Sequence, residues 1–153
     1  MGSELDETLD GISAVFLDLD GTIYLGDSLI DGALEFLDRL EERGVSRYFL
    51  SNNSSKSVEQ YMEKLRALGI RADEEEILLS THDLLSWLSS KGVERTFLVG
   101  TEGMRSMLEE KGIHSSSSDP EFVVLGYDTE ISYEKLSTLS LIHISEPTRP
   151  LYI

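Results

Sequence analysis

The sequence predicts an α/β fold built on a parallel sheet. Short apolar runs of strand length alternate with segments whose apolar residues recur at helical spacing. Glycine follows several of the helical segments, where a left-handed residue commonly ends a helix. Strict alternation of strands and helices favours parallel strands joined by right-handed crossovers. In such folds, ligands bind at the carboxyl ends of the strands.

The first elements carry the clearest patterns. Ala14–Leu17 is an unbroken apolar run that ends at Asp18, and it is expected to be a strand buried on both faces. Asp31–Arg43 has the spacing of an amphipathic helix and is followed by Gly44. The remaining predicted elements are a strand at Arg47–Leu50, a helix over Val58–Leu68, a strand at Ile77–Leu79, a helix around Leu84–Leu88, a strand at Thr96–Val99, a helix around Met104–Leu108 and a strand at Phe122–Leu125.

Composition narrows the class of partner. The 153 residues include 29 acidic and 13 basic side chains, a formal net charge of -16, which repels nucleic acids and anionic membranes. There is no cysteine, so disulfides and thiolate metal sites are excluded, as suits a reducing cytoplasm. The start, MGSELDETLDG, lacks the basic and apolar parts of a secretory signal. We therefore expect a soluble cytoplasmic protein that binds neither nucleic acid nor membranes; its oligomeric state is left open.

The cluster DLDGT, Asp18–Thr22, directly follows the first strand. Two close carboxylates repel each other unless a cation or proton relieves them, and oxygen ligands favour Mg²⁺. An alternative is that Asp18 and Asp20 only cap a turn. A helix-loop-helix calcium loop is excluded, because its twelfth position would be Leu29 and its glycine, Gly21, would be fourth.

A second polar cluster, Ser51–Ser55, directly follows the strand at Arg47–Leu50. Hydroxyls and backbone N–H groups at the start of a helix suit an anion, although a plain helix cap is the alternative. Since both clusters follow strands, we expect them to lie together at the carboxyl edge of the sheet.

Both clusters also resemble known motifs. FLDLDGTIYLGD resembles the first motif of the haloacid dehalogenase superfamily in its NagD-like, 4-nitrophenylphosphatase-like branch, and FLSNNSSKS resembles the second. The resemblance implies a Mg²⁺-dependent phosphatase of small-molecule phosphate esters that forms an aspartyl-phosphate. Asp18 would be the nucleophile and a metal ligand, and Asp20 the general acid and base, with its carbonyl on Mg²⁺. Ser51 and Asn52 would bind the phosphate. Gly21, which has no side chain, would let the backbone approach the phosphate closely.

The resemblance also implies a domain organisation. Residues 1–80 would be the N-terminal part of a Rossmann-like core. LVGTEGMRSMLEEKGI and EFVVLGYDTEISYEKL resemble the beginning of the α/β cap domain of this branch, which would occupy residues 81–138. Such a cap closes over the strand ends and selects the substrate. The helix around Leu84–Leu88 could instead belong to the core.

The sequence lacks two further parts of the family pattern, a lysine that steadies the aspartyl-phosphate and a Gly-Asp-x-x-x-Thr-Asp motif. Leu139–Arg149, LSLIHISEPTR, resembles the translation of a transposon-based sequencing adapter. We therefore expect residues 139–153 to be a library artefact and the chain to be an N-terminal fragment. The alternative is a genuine terminal helix over Tyr133–Ile144. On either account His143 is not a ligand, and His82 and His114 are expected at the surface.

A fragment of this kind has predictable weaknesses. Mg²⁺ would bind weakly and mostly hydrated, turnover would be small, and the missing part of the sheet would leave Val15 and Phe49 uncovered. Two other functions stay open: a non-catalytic α/β module that binds a phosphorylated ligand or a protein partner, and phosphoryl transfer as in phosphomutases. The cap resemblance disfavours the mutase.

Overall fold

The computed structural model describes residues 9–145, with side chains as far as Ile142. These residues divide into two compact units: the first contains residues 9–51 and 61–78, and the second contains residues 52–60 and 79–145. Within this range, the helices are too short or too polar to cross a membrane.

Residues 9–145 contain seven strands and five α-helices, and from the first helix onward strands and helices alternate, which confirms the predicted α/β class. In order they are β1 (Ala14–Asp18), β2 (Tyr24–Leu25), β3 (Ser28–Leu29), α1 (Ala33–Glu42), β4 (Ser46–Ser51), α2 (Val58–Ala67), a 3₁₀ turn (Glu74–Glu76), β5 (Ile77–Leu79), α3 (Ser80–Ser90), β6 (Thr96–Val99), α4 (Glu102–Glu110), β7 (Phe122–Leu125) and α5 (Tyr133–Ser145).

The first unit is organised by a three-stranded sheet with the order β1-β4-β5. β1 and β4 are parallel, in a register that runs from Ala14 opposite Ser46 to Asp18 opposite Leu50. Phe49 of β4 is fully buried in this unit. Other fully buried side chains of the unit come from helices: Leu37 and Leu40 of α1, and Tyr61 and Leu65 of α2.

One face of this sheet is uncovered, which corrects two expectations. β1 is not buried on both faces, since Phe16 is 62% exposed and stacks on Tyr48 with ring centroids 5.3 Å apart. Phe49 is not uncovered, because its exposed fraction is 0%, and Val15 is half-buried. Successive side chains of a strand point to opposite faces, so neighbouring residues have opposite burial. The apolar run at Ala14–Leu17 could not reveal which face would be covered.

In the second unit, β6 and β7 pair in parallel, with Thr96 opposite Phe122 and Val99 opposite Leu125. All four β6 residues are buried. A run of four serines, Ser115–Ser118, lies along β6. The Leu98 N–H donates to the Ser115 carbonyl at 2.8 Å, and the Ser117 N–H donates to the Thr96 carbonyl at 3.0 Å. Ser115 and Ser117 are consequently buried.

The last helix, α5, runs from Tyr133 to Ser145 and therefore continues across Thr138. A helix there is what the alternative of a genuine terminal helix predicted. Because a sequence of any origin can be helical, α5 does not test the origin of residues 139–153, and their assignment as an artefact stays a prediction. Residues 146–153, and the side chain of His143, lie outside the described part.

Candidate active site

The turn at Asp18–Tyr24 is closed by its own backbone. Leu19 is fully buried, and its carbonyl accepts hydrogen bonds from the N–H groups of Ile23 at 3.0 Å and Tyr24 at 3.3 Å. The N–H of Gly21 donates to the Tyr24 carbonyl at 2.8 Å, with Gly21 at φ 90°, a conformation that suits glycine. Backbone carbonyls thus satisfy these N–H groups, so the carboxylates of Asp18 and Asp20 are not needed to cap the turn.

Both carboxylates are exposed at the end of β1. Asp18 Oδ2 accepts a long hydrogen bond from Thr22 Oγ1 at 3.5 Å, and Asp20 Oδ2 accepts one from the Tyr24 hydroxyl at 3.4 Å. Their oxygens fit Mg²⁺ in kind, because this cation prefers carboxylates and water. Within residues 9–145, however, there is no group of three or more His, Cys, Asp or Glu side chains placed to hold a metal. The described residues alone therefore do not form a complete metal site.

Ser51 lies at the same edge of the sheet as Asp18. It is the last residue of β4, and its neighbour Leu50 pairs with Asp18 in the parallel register. Ser51 is 7% exposed, and its hydroxyl oxygen lies 2.7 Å from that of Tyr61 in α2. The expectation that the two polar clusters would meet at the carboxyl edge is thus met by Asp18 and Ser51.

The helix-cap alternative for Ser51 does not fit the structure. α2 begins at Val58, and the residue before it, Ser57, does the capping. The Gln60 N–H donates to Ser57 Oγ at 3.4 Å, and the Ser57 N–H donates to Gln60 Oε1 at 2.8 Å, the reciprocal pattern of a capping box. The cap of α2 is therefore Ser57 and not Ser51.

Asn52, the other predicted phosphate ligand, follows Ser51 directly but belongs by its contacts to the second unit. Its side chain is exposed, and its carbonyl accepts a hydrogen bond from Ser80 Oγ at 3.4 Å. Its predicted role beside Ser51 stays a prediction.

Two buried tyrosines next to the predicted site residues were missed by the sequence analysis. Burial, and then the negative charge of Asp20, raise the pKa of Tyr24 far above its ordinary value. Burial also raises the pKa of Tyr61, and the hydrogen bond with Ser51 opposes this in part. Both phenols are therefore neutral at physiological pH. Lys64 adds positive charge, with its Nζ 4.0 Å from the centroid of the Tyr24 ring.

A weak signal for these residues existed in the sequence. Tyr61 and Lys64 are three residues apart, so they lie on one face of α2. Tyr61 counted only as part of the apolar pattern of the helix, because a pattern of apolar spacing does not show where a phenol hydroxyl points.

Comparisons with known proteins identify the family. Residues 15–114 match the family model of haloacid dehalogenase-like hydrolases. An acid sugar phosphatase of Staphylococcus aureus is 35% identical over 130 residues, covering 84% of this chain and 50% of that protein. The crystal structure of a 4-nitrophenylphosphatase from Thermotoga maritima is 37% identical with a TM-score of 0.79, over 88% of this chain and 52% of that one.

A third relative is a glycerol phosphate phosphatase of Mycobacterium tuberculosis, crystallised with magnesium. It is 25% identical with a TM-score of 0.75, over 88% of this chain and 42% of that protein. The chain spans about half the length of the curated relatives it matches. The family match covers most of the chain, including Asp18 and Ser51. The chain belongs to the haloacid dehalogenase-like hydrolases, in the branch of NagD and the 4-nitrophenylphosphatases.

Proposed function

We propose that this chain supplies the nucleophile and part of the phosphate-binding site of a phosphatase that hydrolyses small-molecule phosphate monoesters. The observation that carries the proposal is the end of the parallel pair β1–β4, where Asp18 and Ser51 lie at one edge of the sheet. A carboxylate and a phosphate-binding hydroxyl at that edge suit attack on a phosphoryl group. The relatives are named as an acid sugar phosphatase, a 4-nitrophenylphosphatase and a glycerol phosphate phosphatase, and these names support the proposed substrate class.

In the proposed reaction, a carboxylate oxygen of Asp18 attacks phosphorus, and the bond from phosphorus to the ester oxygen breaks. Asp20, protonated at this stage, gives its proton to the departing alkoxide. Water then attacks phosphorus in the aspartyl-phosphate while Asp20 accepts a proton from it, so that inorganic phosphate leaves and Asp18 is regenerated. General acid–base catalysis of this kind typically contributes about 10²–10⁴-fold in rate.

The neighbouring side chains support these roles. The neutral hydroxyl of Tyr24 donates to Asp20 and orients that carboxyl group, although at 3.4 Å the hydrogen bond is long. Ser51 is held by the Tyr61 hydroxyl at 2.7 Å, which fixes its oxygen beside the proposed phosphate position. The φ of 90° at Gly21 keeps the turn open to a close approach of the phosphate.

Asp18, and the backbone carbonyl of Asp20, would hold Mg²⁺. When bound, the ion would neutralise negative charge shared by the carboxylates and the phosphoryl group. Because two acidic residues make only part of a site, binding to this chain alone is expected to be weak and largely hydrated. We also infer that the enzyme works in the cytoplasm, a location that the absence of cysteine supports.

The test is hydrolysis of 4-nitrophenyl phosphate with and without Mg²⁺. Two proteins are compared: the chain alone, and residues 1–138 fused to the half of the S. aureus relative that the match does not cover. We expect at most trace turnover by the chain alone and Mg²⁺-dependent turnover by the fusion. Asp18→Asn should abolish the latter, whereas Asp27→Asn, the same change at an exposed carboxylate of the β2–β3 hairpin, should not.

Two outcomes would count against the proposal. Turnover by the fusion that survives Asp18→Asn would remove the proposed nucleophile. Orthophosphate binding without any turnover would favour the binding module instead.

A further inference from the structure

The loop between β4 and α2, residues 52–57, belongs to the second unit and is held by hydrogen bonds within it. The Thr101 hydroxyl donates to the Ser55 carbonyl at 2.7 Å, and the Tyr127 N–H donates to Ser54 Oγ at 2.8 Å. Thr101 is 2% exposed, so its hydroxyl is shielded from water, whereas Ser55 is half-buried. A buried donor that loses its acceptor costs more free energy than an exposed donor that does so. The Thr101 hydroxyl therefore favours the position of the loop in which this hydrogen bond is made.

Two glycines allow the loop to come this close. A Cβ at Gly103 would lie 2.9 Å from the backbone nitrogen of Ser57 and 2.5 Å from Gln60 Oε1. A Cβ at Gly126 would lie 3.2 Å from Ser54 Oγ and 2.5 Å from Met104 Sδ. The Ser57 contact is with backbone, so an alanine at position 103 would have to push the loop or α4 away.

The contacts come from the carboxyl edge of the β6–β7 pair. Gly100 and Thr101 follow β6, and Gly126 and Tyr127 follow β7. Parallel sheets usually bind their ligands at this edge. Here the edge binds the chain's own loop, and the loop begins at Asn52, the residue after Ser51.

We infer that Thr101, Gly103 and Gly126 are positioning residues for phosphate binding. They hold the loop that starts at Asn52, and so they set the backbone that leads out of Ser51. This inference rests on the proposed function for its phosphate part, whereas the attachment of the loop can be measured without phosphate. It assigns a task to the segments LVGTEG and LGYD other than substrate selection.

Hydrogen exchange of the full chain, followed by mass spectrometry, tests the attachment. Thr101→Val keeps the shape of the side chain but removes the donor, and should speed exchange in residues 52–60 by about tenfold, as loss of one net hydrogen bond predicts. Gly103→Ala, which keeps the donor, should speed the same peptides. The matched control is Thr96→Val, because Thr96 is also buried and donates to a backbone carbonyl, that of His114 at 3.1 Å, away from the loop.

The inference is supported if Thr101→Val and Gly103→Ala each loosen residues 52–60 and Thr96→Val does not. It is overturned if either loop variant exchanges there like the wild type, or if Thr96→Val loosens the loop equally, since that would indicate general destabilisation. Fluorescence of the sole tryptophan, Trp87, reports whether the second unit of each variant is folded.

The phosphate part is tested in the same samples with orthophosphate and Mg²⁺. Protection of residues 51–57 by orthophosphate in the wild type, weakened about tenfold in Thr101→Val, supports the positioning role. Equal protection in both overturns it, even if the loop is looser. If orthophosphate gives no protection in the wild type, phosphate binding by this chain is refuted, and so is the role of Thr101, Gly103 and Gly126 in it. The exchange rates measured without phosphate still decide whether these residues hold the loop.

Discussion

Replacing Lys135 by methionine should destabilise the second unit more than any other change to an exposed or half-buried lysine there. Lys135 Nζ lies 2.9 Å from Asp128 Oδ2 and also donates to the carbonyls of Gly100 at 2.7 Å and Glu130 at 3.1 Å. The Asp128 side chain is only 3% exposed. Removing the ammonium group therefore leaves a carboxylate that is shielded from water and has lost its counter-charge.

The size of the loss follows from this burial. Breaking a buried ion pair by removing one partner typically costs about 3–5 kcal/mol, and we expect about 3 kcal/mol because Lys135 itself is 18% exposed. With a urea m-value of about 1 kcal/mol/M for so small a unit, the midpoint should fall by about 3 M. A unit with a free energy of unfolding of about 5 kcal/mol would keep only about 2 kcal/mol and would unfold at low urea concentrations.

Trp87 makes the assay specific to this unit. It is the only tryptophan, lies in α3, and packs edge to face on Phe122 of β7 with ring centroids 5.3 Å apart. Its fluorescence in urea therefore follows the second unit. Lys111→Met, at an exposed lysine after α4, removes the same charge and should shift the midpoint little.

A double variant separates the ion pair from the rest of Lys135. In Asp128→Asn the buried charge is gone, so adding Lys135→Met should cost much less than it does in the wild type. Equal costs in the two backgrounds, or a midpoint for Lys135→Met that matches Lys111→Met, would refute the argument that an uncompensated Asp128 carboxylate causes the loss.

Two further predictions concern the first unit. Phe49→Ala should lower the free energy of unfolding by about 3–5 kcal/mol, because Phe49 is fully buried, whereas Phe16→Ala should lower it by less than about 1 kcal/mol, because Phe16 is 62% exposed. Urea unfolding followed by circular dichroism compares the two variants. Equal losses of stability would contradict the described packing. Because their folded-state pKa values are raised, Tyr24 and Tyr61 contribute stability that is intact below about pH 10 and declines above it. Between pH 9 and pH 11, the free energy of unfolding should fall less in Tyr61→Phe than in the wild type. An equal fall in the two proteins would contradict the contribution of Tyr61.

The order of elements was predictable because their patterns are local. Thr96–Val99 and Phe122–Leu125 coincide with β6 and β7, since each is an apolar run of strand length bounded by polar residues. Gly44, with φ 65°, ends α1 in the expected left-handed conformation. The β2–β3 hairpin was not predicted, because strands of two residues are too short to show a period.

The candidate site was predictable only in part. Asp18 and Ser51 each follow an apolar run, so their place at a strand end could be inferred from the sequence together with the motif resemblance. Tyr24 and Tyr61 could not, because their importance lies in burial and in hydroxyl contacts set by tertiary packing. The side of β1 that is covered was unpredictable for the same reason.

The attachment of residues 52–57 shows a limit that better pattern analysis would not remove. By sequence order these residues precede the predicted boundary at residue 80, yet their contacts are with Thr101, Gly103 and Tyr127. Residues 52–60 therefore belong to the second unit through tertiary contacts that the order of the sequence does not show. If the proposed role of Ser51 holds, changes at Thr101 or Gly103 should alter phosphate binding through the backbone that leads from Ser51 into this loop, without touching the substrate.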